Sequence, residues 1–449
     1  MDTSNKVDML NGPILKKMII FALPLALGSI FQQLFNMVDS AVVGQFASSE
    51  ALAAVGANAP VVNLFINLFV GISVGSSVLI ATYIGSGNEK NLSKGVHTSI
   101  SISLICGIFL AGLVLFVAEP LLSFIGTPDN IIDLAVLYLR IYALGMPFIL
   151  LYNFTSAILR SAGDSKHPFY ALVIGGIINV ILNLLLVIGL KRSVDGVAIG
   201  TVVSNLVSSF YVLYYLGKER EPLRFHIKKL SISKKELVSI LKIGIPAGLQ
   251  GTVFSLSNVI IQSTINSFGS SVIAGSSAAV NFEYIGYAVI NGFSQAATTF
   301  IGQNYGAKKM DRCRKIWKQA LIAGMGIALV LDLAIVLARI PLAHLFTSDP
   351  EVIPFAVQRI LQVMSLHWIL GTYEITGCSL RGYGKSMVPA LLTVFGTCVV
   401  RILWVYLVNT YFHTFSMLLL VYPVSWIVTG ILVITYYFMA RPKIEKSIA

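Results

Sequence analysis

Charge is what this sequence has least of. Asp, Glu, Lys and Arg together make up 12% of its 449 residues, against 56% hydrophobic residues and a mean hydropathy of +0.82. A soluble globular domain carries about 25% charge, so this composition excludes one. Cysteine is scarce too. Cys106, Cys313, Cys378 and Cys398 have no metal-ligand spacing, which argues against zinc and structural disulfides. The six histidines, at 97, 167, 226, 344, 367 and 413, are scattered, so no H-E-x-x-H helix exists. No G-x-x-x-x-G-K-[ST] loop occurs, and no polar gap is long enough for a nucleotide domain, which excludes an ATP-driven pump. An intramembrane enzyme needs a nucleophile with a base, paired acids or metal ligands inside apolar runs. None is present, so neither catalysis nor a cofactor is expected.

Long apolar runs fill the space that charge leaves. A hydrocarbon core about 30 Å thick requires about 20 apolar residues per helical span, and about twelve such runs occur: 15–44, 51–84, 96–118, 131–159, 168–190, 195–217, 238–267, 273–304, 318–341, 352–380, 388–410 and 414–440. A β-barrel is excluded, because the run 417–440 is apolar all round rather than alternating. The first run is too long for a signal-peptide core and lacks a small-residue cleavage pattern, so it is expected to stay as a helix.

Lys and Arg sort by side. The termini and the gaps after even-numbered spans hold Lys16, Lys17, Lys90, Lys94, Arg160, Lys166, Lys228, Lys229, Lys308, Lys309, Arg381 and Lys385 among others, while the opposite gaps hold little beyond Lys191, Arg192 and Arg339. The positive-inside rule therefore predicts cytoplasmic termini and a cytoplasmic middle loop. The +12 net charge is topological, and nucleic acid is not an expected partner.

The chain repeats itself. "LRSAGDS" at 159–165 returns as "LRGYGKS" at 380–386, Pro24 sets against Pro246, Gly85 against Gly306, and Thr127-Pro-Asp129 against Thr347-Ser-Asp349, at offsets of 220 to 222 residues. A tandem duplication of a six-helix unit follows. An even number of spans per copy makes the repeats parallel, related by a pseudo-twofold axis along the membrane normal. The expected organisation is a first lobe over 1–217, a cytoplasmic linker over 218–237 and a second lobe over 238–449. In the repeated phrase, Arg160 and Arg381 suit helix C-termini, and Gly163 and Gly384 suit the chain reversals after them. The alternative is that these loops help close the inward mouth.

Polar residues inside spans are costly and mark function by default. Asp39 lies in the first span with no cation within a helical turn, and Asn36 and Gln33 lie below it. An unpaired carboxylate there is either protonated or held charged by a bound cation. Asn179 and Asn183 are four apart and share a helix face, where they either ligate a small cation or bond across helices. Small residues in the sixth span allow a close approach that presents Ser204. In the second half, Glu283, Glu374 and Arg401 are buried-charge candidates. Glu374 and Arg401 either neutralise one another or serve separate roles. Arg140 and Arg359 lie near outer span ends and are expected to snorkel, and Asp332 is expected to be solvated or paired two turns below Arg339.

These residues resemble a known family. "MVDSAVVGQF" with "LAAVGANAP", the Gly-rich ends at 85 and 306, the paired "LRSAGDS" and "LRGYGKS" phrases and the Asn-x3-Asn fifth span are similar to the multidrug and toxin compound extrusion (MATE) transporters from about residue 14 to 440. The resemblance implies an all-α membrane protein of two six-helix lobes in a V around a central cavity. It implies export of organic, mostly cationic compounds against inward Na⁺ or H⁺ across the bacterial cytoplasmic membrane, with a monomer as the working unit. Position by position, Asp39 matches the family's first-span acid and Asn179 a fifth-span ligand. Asn183 stands where several relatives carry Asp, and Ser204 stands where a Thr hydroxyl is expected, near the carbonyl of Gly200. The seventh-span Glu and tenth-span Asp of one branch are missing. A lipid-linked precursor flippase is the rival reading. It needs a strongly cationic cavity, for which Arg401 is the main intramembrane candidate.

Overall fold

Lipid offers no hydrogen-bond partners, so each apolar run satisfies its own backbone as a helix. In the computed structural model, which describes residues 6–446, the order is α1 (Ile14–Phe46), α2 (Ser49–Ser86), α3 (Glu89–Phe124), α4 (Asp129–Leu144), α5 (Met146–Ser161), α6 (Lys166–Gly189), α7 (Val194–Gly217), α8 (Lys234–Asn266), α9 (Ser270–Gly306), α10 (Met310–Leu337), α11 (Arg339–His344), α12 (Ile353–Gly382), α13 (Met387–Leu407) and α14 (Phe415–Lys446). No strand occurs among the described residues. This is an all-α integral membrane fold. Ten helices are long and apolar enough to cross a bilayer, and α4 with α5, bent by 45° at their junction, makes an eleventh as a broken span. At 37 residues α9 has the length of a twelfth, but Ser, Asn, Gln and Thr along it lower its hydropathy, as suits a helix flanked by other helices rather than by lipid.

Several helices overrun the limits read from hydropathy. The 38 residues of α2 extend about 57 Å at about 1.5 Å per residue, far beyond the hydrocarbon core, and polar caps set the ends instead. Ser48 accepts from the Ala51 N–H and Asn88 from the Asn91 N–H, which satisfies amides at the starts of α2 and α3. Helix starts at 49, 89, 166 and 194 recur at 270, 310, 387 and 415, each 221 residues on. Arg160 and Arg381 lie in the last turns of α5 and α12. Beyond them Gly163 and Gly384 take φ of +90° and +76°, the left-handed reversal that Gly permits at least cost.

Two compact units make up the chain. The first comprises 1–7 and 27–244, the second 8–26 and 245–449. Residues 8–26 thus belong with the second half and 218–244 with the first, whereas the sequence reading drew the lobes at the middle loop. Side-chain bonding accounts for both placements. The Met9 carbonyl accepts from Asn304 at 3.0 Å and Arg312 at 3.3 Å, and Lys309 donates to the Leu10 carbonyl at 3.0 Å. The loop after α7 is tied to α3: the His226 N–H donates to His97 Nε2 at 3.1 Å, the Ser233 N–H to Thr98 at 3.0 Å, and Ser101 to the Ser231 carbonyl at 3.3 Å.

Candidate functional site

Small residues let α6 and α7 of the first unit touch. A Cβ on Gly175 would fall 2.0 Å from Ser208 Oγ, and one on Gly200 would fall 2.3 Å from Asn183 Oδ1, so only a hydrogen fits at either crossing. Helix α1 leans on the same pair, with the Phe35 ring where a side chain on Gly176 would be. One turn past Phe35, Asp39 is delivered to the face of α6 that carries Asn179 and Asn183.

The acid is held by amides. Asn183 Nδ2 donates to Asp39 Oδ1 at 2.6 Å. Asn179, with its amide nitrogen turned to the acid, donates to Oδ1 at 2.6 Å and lies 3.3 Å from Oδ2. Asn179 is 5% exposed and Asn183 fully buried, and Thr201 of α7 lies 3.4 Å from the Asn179 amide. Among the described residues no Lys, Arg or His lies within ion-pair reach of Asp39. Asn183 Oδ1 is buried with no hydrogen-bond partner. Asn183 turns its nitrogen to the acid and its oxygen toward Gly200, so the carboxylate is the charged oxygen ligand here, a hard donor that suits a proton or a small cation.

None of the other first-half candidates makes a side-chain hydrogen bond to the carboxylate among the described residues. Gln33 is half-buried and Asn36 is exposed. The Asn36 carbonyl accepts from Ser40 at 3.0 Å. Ser204 donates to the Thr201 carbonyl at 2.9 Å, which commits its proton to its own helix and leaves its oxygen able to accept. Gly200 contributes space for Asn183. Two residues went unnoticed in the sequence: Thr201, one residue past Gly200, and Tyr138 on α4, whose buried ring is near enough to interact electrostatically with Asp39. Neither is unusual in an apolar run, so no local signal marks them.

In the second unit the buried charges pair differently from expectation. Arg359 does not snorkel. At 2% exposure its guanidinium is bound by Glu283 at 2.6 and 3.1 Å, by Ser276 at 2.6 Å and by the Tyr422 hydroxyl at 3.3 Å, because α9 and α12 pack together and bring an opposite charge closer than the interface. Asp332 is paired, one of the two outcomes expected of it, though not with Arg339, which donates to the Val336 carbonyl. It is fully buried and meets His367 Nδ1 at 3.3 Å across to α12.

Glu374 and Arg401 do not form an ion pair. Arg401 donates through Nη1 to Asn258 Oδ1 at 2.9 Å and through Nε to Ser425 at 3.2 Å, with the rings of Phe254 and Tyr422 at 5.0 and 5.1 Å. The charge nearest in effect to Glu374 is that of Arg381, two turns along the same helix, and Cys378 is its short-range partner at 3.9 Å. Adjacency of spans in sequence says nothing about which faces meet. Among the described residues no group of three or more His, Cys, Asp or Glu side chains could hold a metal ion.

Comparison with known proteins supplies the context. The family model MatE matches residues 24–185 and again 246–407. A protein of Bacillus subtilis (strain 168) described as "Probable multidrug resistance protein YoeA" is 28% identical over 446 residues, 94% of this chain and 93% of its own. A Shewanella oneidensis protein described as "FAD transporter" is 28% identical, with 96% of each chain covered. The fold matches a solved outward-facing multidrug resistance MATE family transporter of the MOP superfamily with a TM-score of 0.91 at 24% identity, over 99% of this chain and 100% of that one.

Proposed function

From membership of the MatE family, to which the chain belongs through matches in both of its halves, we propose that it is a cation-coupled antiporter exporting organic compounds by alternating access. Membership of the family supports a multi-pass membrane transporter rather than an enzyme; the coupling is the further step. One observation carries it: Asp39, inside a membrane-spanning helix, is bonded by two neutral amides. An isolated carboxylate in lipid is stabilised by a proton or by a bound cation such as Na⁺. A group that changes state when the ion arrives biases one conformation by differential affinity, and a substrate favouring the other conformation is then driven out.

The test is export from proteoliposomes energised by an imposed Na⁺ gradient and, separately, by a pH gradient. Ethidium and fluorescein serve as cationic and anionic reporter dyes. Accumulation of either dye against its gradient supports the reading, and none under either gradient contradicts it. A second reading, export of a metabolite, is favoured by the Shewanella relative described as an FAD transporter.

Orientation follows from the Lys and Arg asymmetry: both termini and residues 218–235 face the cytoplasm. Ser231 is exposed in that stretch. With Cys106, Cys313, Cys378 and Cys398 replaced, Ser231→Cys is expected to resist an impermeant thiol reagent added to intact cells and to react in inverted vesicles. Labelling from outside intact cells contradicts the orientation.

A further inference from the structure

Arg401 is the odd charge of the second unit. It is 2% exposed, it lies mid-span in α13, and its hydrogen-bond partners Asn258 and Ser425 are both neutral. Among the described residues the unit's other deep charges have partners: Glu283 pairs with Arg359, Asp332 meets the His367 imidazole, and Glu374 lies in the field of Arg381. A buried guanidinium without a carboxylate is costly, and the low dielectric that makes it costly makes it a strong anion receptor.

Polar groups line the helix face in front of it. Along α8, Gln250, Phe254, Asn258, Gln262 and Asn266 recur every four residues, each turned about 40° from the last, so successive members are neighbours on a stripe that winds slowly around the helix. Asn258, Gln262 and Asn266 are exposed. Amides on a spanning helix face a bundle interior or a water-filled space rather than lipid. Arg401 lies directly behind this stripe, with Nη1 on the Asn258 oxygen and the Phe254 ring over its guanidinium. The Tyr422 ring lies 5.1 Å from the Arg401 guanidinium and 5.2 Å from that of Arg359.

The duplication sharpens the point. In the 221-residue register Tyr138 corresponds to Arg359, Thr201 to Tyr422 and Ser204 to Ser425, while Arg401 corresponds to Val180, next to Asn179. The register that surrounds an unpaired acid in the first unit surrounds an unpaired base in the second. Asp39 itself corresponds to Ile260, so the second unit holds no copy of the acid.

We infer that Arg401, with Phe254, Asn258 and Tyr422, binds the acidic group of an organic anion: a carboxylate, sulfonate or phosphate joined to an aromatic ring. The assignment rests on the export reading and names a substrate class for it, opposite in charge to the cations implied by family resemblance. The entering anion replaces the Asn258 oxygen at Nη1, exchanging a neutral acceptor for a charge-assisted bond of about twice the strength. Its ring packs against Phe254 and Tyr422.

Fluorescein, an aromatic dianion at neutral pH, is the probe, and its anisotropy is titrated with purified full-length protein in dodecyl maltoside without any ion gradient. Wild type is expected to bind it saturably, and Arg401→Gln to bind about tenfold more weakly. Asn258→Asp is the second variant. It gives Arg401 a carboxylate of its own, so it is expected to weaken binding to a similar extent while melting no lower than wild type, which separates lost binding from lost folding. Absence of saturable binding to wild type, or unchanged affinity in Asn258→Asp, overturns the assignment. Repeating the titration with phosphatidylglycerol in the micelles separates soluble anions from lipid headgroups. Unchanged fluorescein affinity is expected, and displacement by the lipid overturns the substrate assignment. Ethidium export without fluorescein binding defeats this assignment alone. Fluorescein binding without export of any dye defeats the export reading alone.

Discussion

Gradient-driven efflux is expected to fall to background in Asp39→Asn, with the yield of folded protein staying at the wild-type level. The substitution keeps the size of the side chain, and its amide oxygen still accepts from Asn183, which donates to Asp39 at 2.6 Å. What disappears is the single formal charge in that cluster, the one feature a proton or Na⁺ can neutralise. The position tolerates a neutral group, since an uncharged side chain costs less inside a span than an unpaired acid. Substrate binding is expected to persist, because the ion no longer competes with substrate through that carboxylate. The comparison is made in proteoliposomes holding equal amounts of folded wild type and variant. Near wild-type efflux in the variant places the coupling elsewhere, with Glu283, Asp332 or Glu374 to examine.

Arg359→Ala is expected to cost stability rather than a transport step. Its guanidinium is 3% exposed and the Glu283 carboxylate 16% exposed. Truncation leaves that carboxylate without its cation and strips a bond from Ser276 and another from the Tyr422 hydroxyl. Removing one member of a buried pair costs about 3–5 kcal/mol, enough to empty the folded pool of a marginal membrane protein. The charge reversal Glu283→Arg with Arg359→Glu is expected to recover much of the loss, since the Tyr422 hydroxyl can donate to a carboxylate as readily as it accepts from a guanidinium. Thermal melting and folded yield in detergent read Arg359→Ala, the single swaps Glu283→Arg and Arg359→Glu, and the double variant. A double variant no more stable than either single one contradicts the pairing. Reversing Glu374 and Arg401 together gives no such rescue, because the two make no ion pair.

Much of the architecture was legible because it is set by solvent rather than by partners. Lipid imposes a length and an apolar composition on every span, so the spans, the duplication and the reversals at Gly163 and Gly384 can be read from residues within one segment. What escaped depends on how segments turn toward each other. Glu283 and Arg359 are 76 residues apart, and nothing within either helix says that their faces meet. The same blindness suggested Glu374 with Arg401, whose spans are consecutive but whose side chains turn to Cys378 and to Asn258. Helix ends were misjudged for another reason: hydropathy registers only the lipid-buried middle, whereas Ser48 and Asn88 cap helices that run on into water. The break between α4 and α5 had a local sign in Gly145 and Pro147 that a hydropathy window averages away. In the first unit, Asn179 and Asn183 could be placed on one face from their spacing, but their link to Asp39 came from family resemblance. Thr201 and Tyr138 had neither kind of sign.

Running the transport cycle backwards is the most direct test of coupling through Asp39. Vesicles loaded with an exported dye and holding equal cation concentrations inside and out are diluted into dye-free buffer, so that only the dye gradient supplies energy. Movement of H⁺ or Na⁺ is followed with an ion-sensitive fluorophore. Wild type is predicted to drive one of these cations uphill, opposite to the dye and in proportion to it, and Asp39→Asn to drive none. Dye flux through wild type that leaves both cation distributions unchanged contradicts the account.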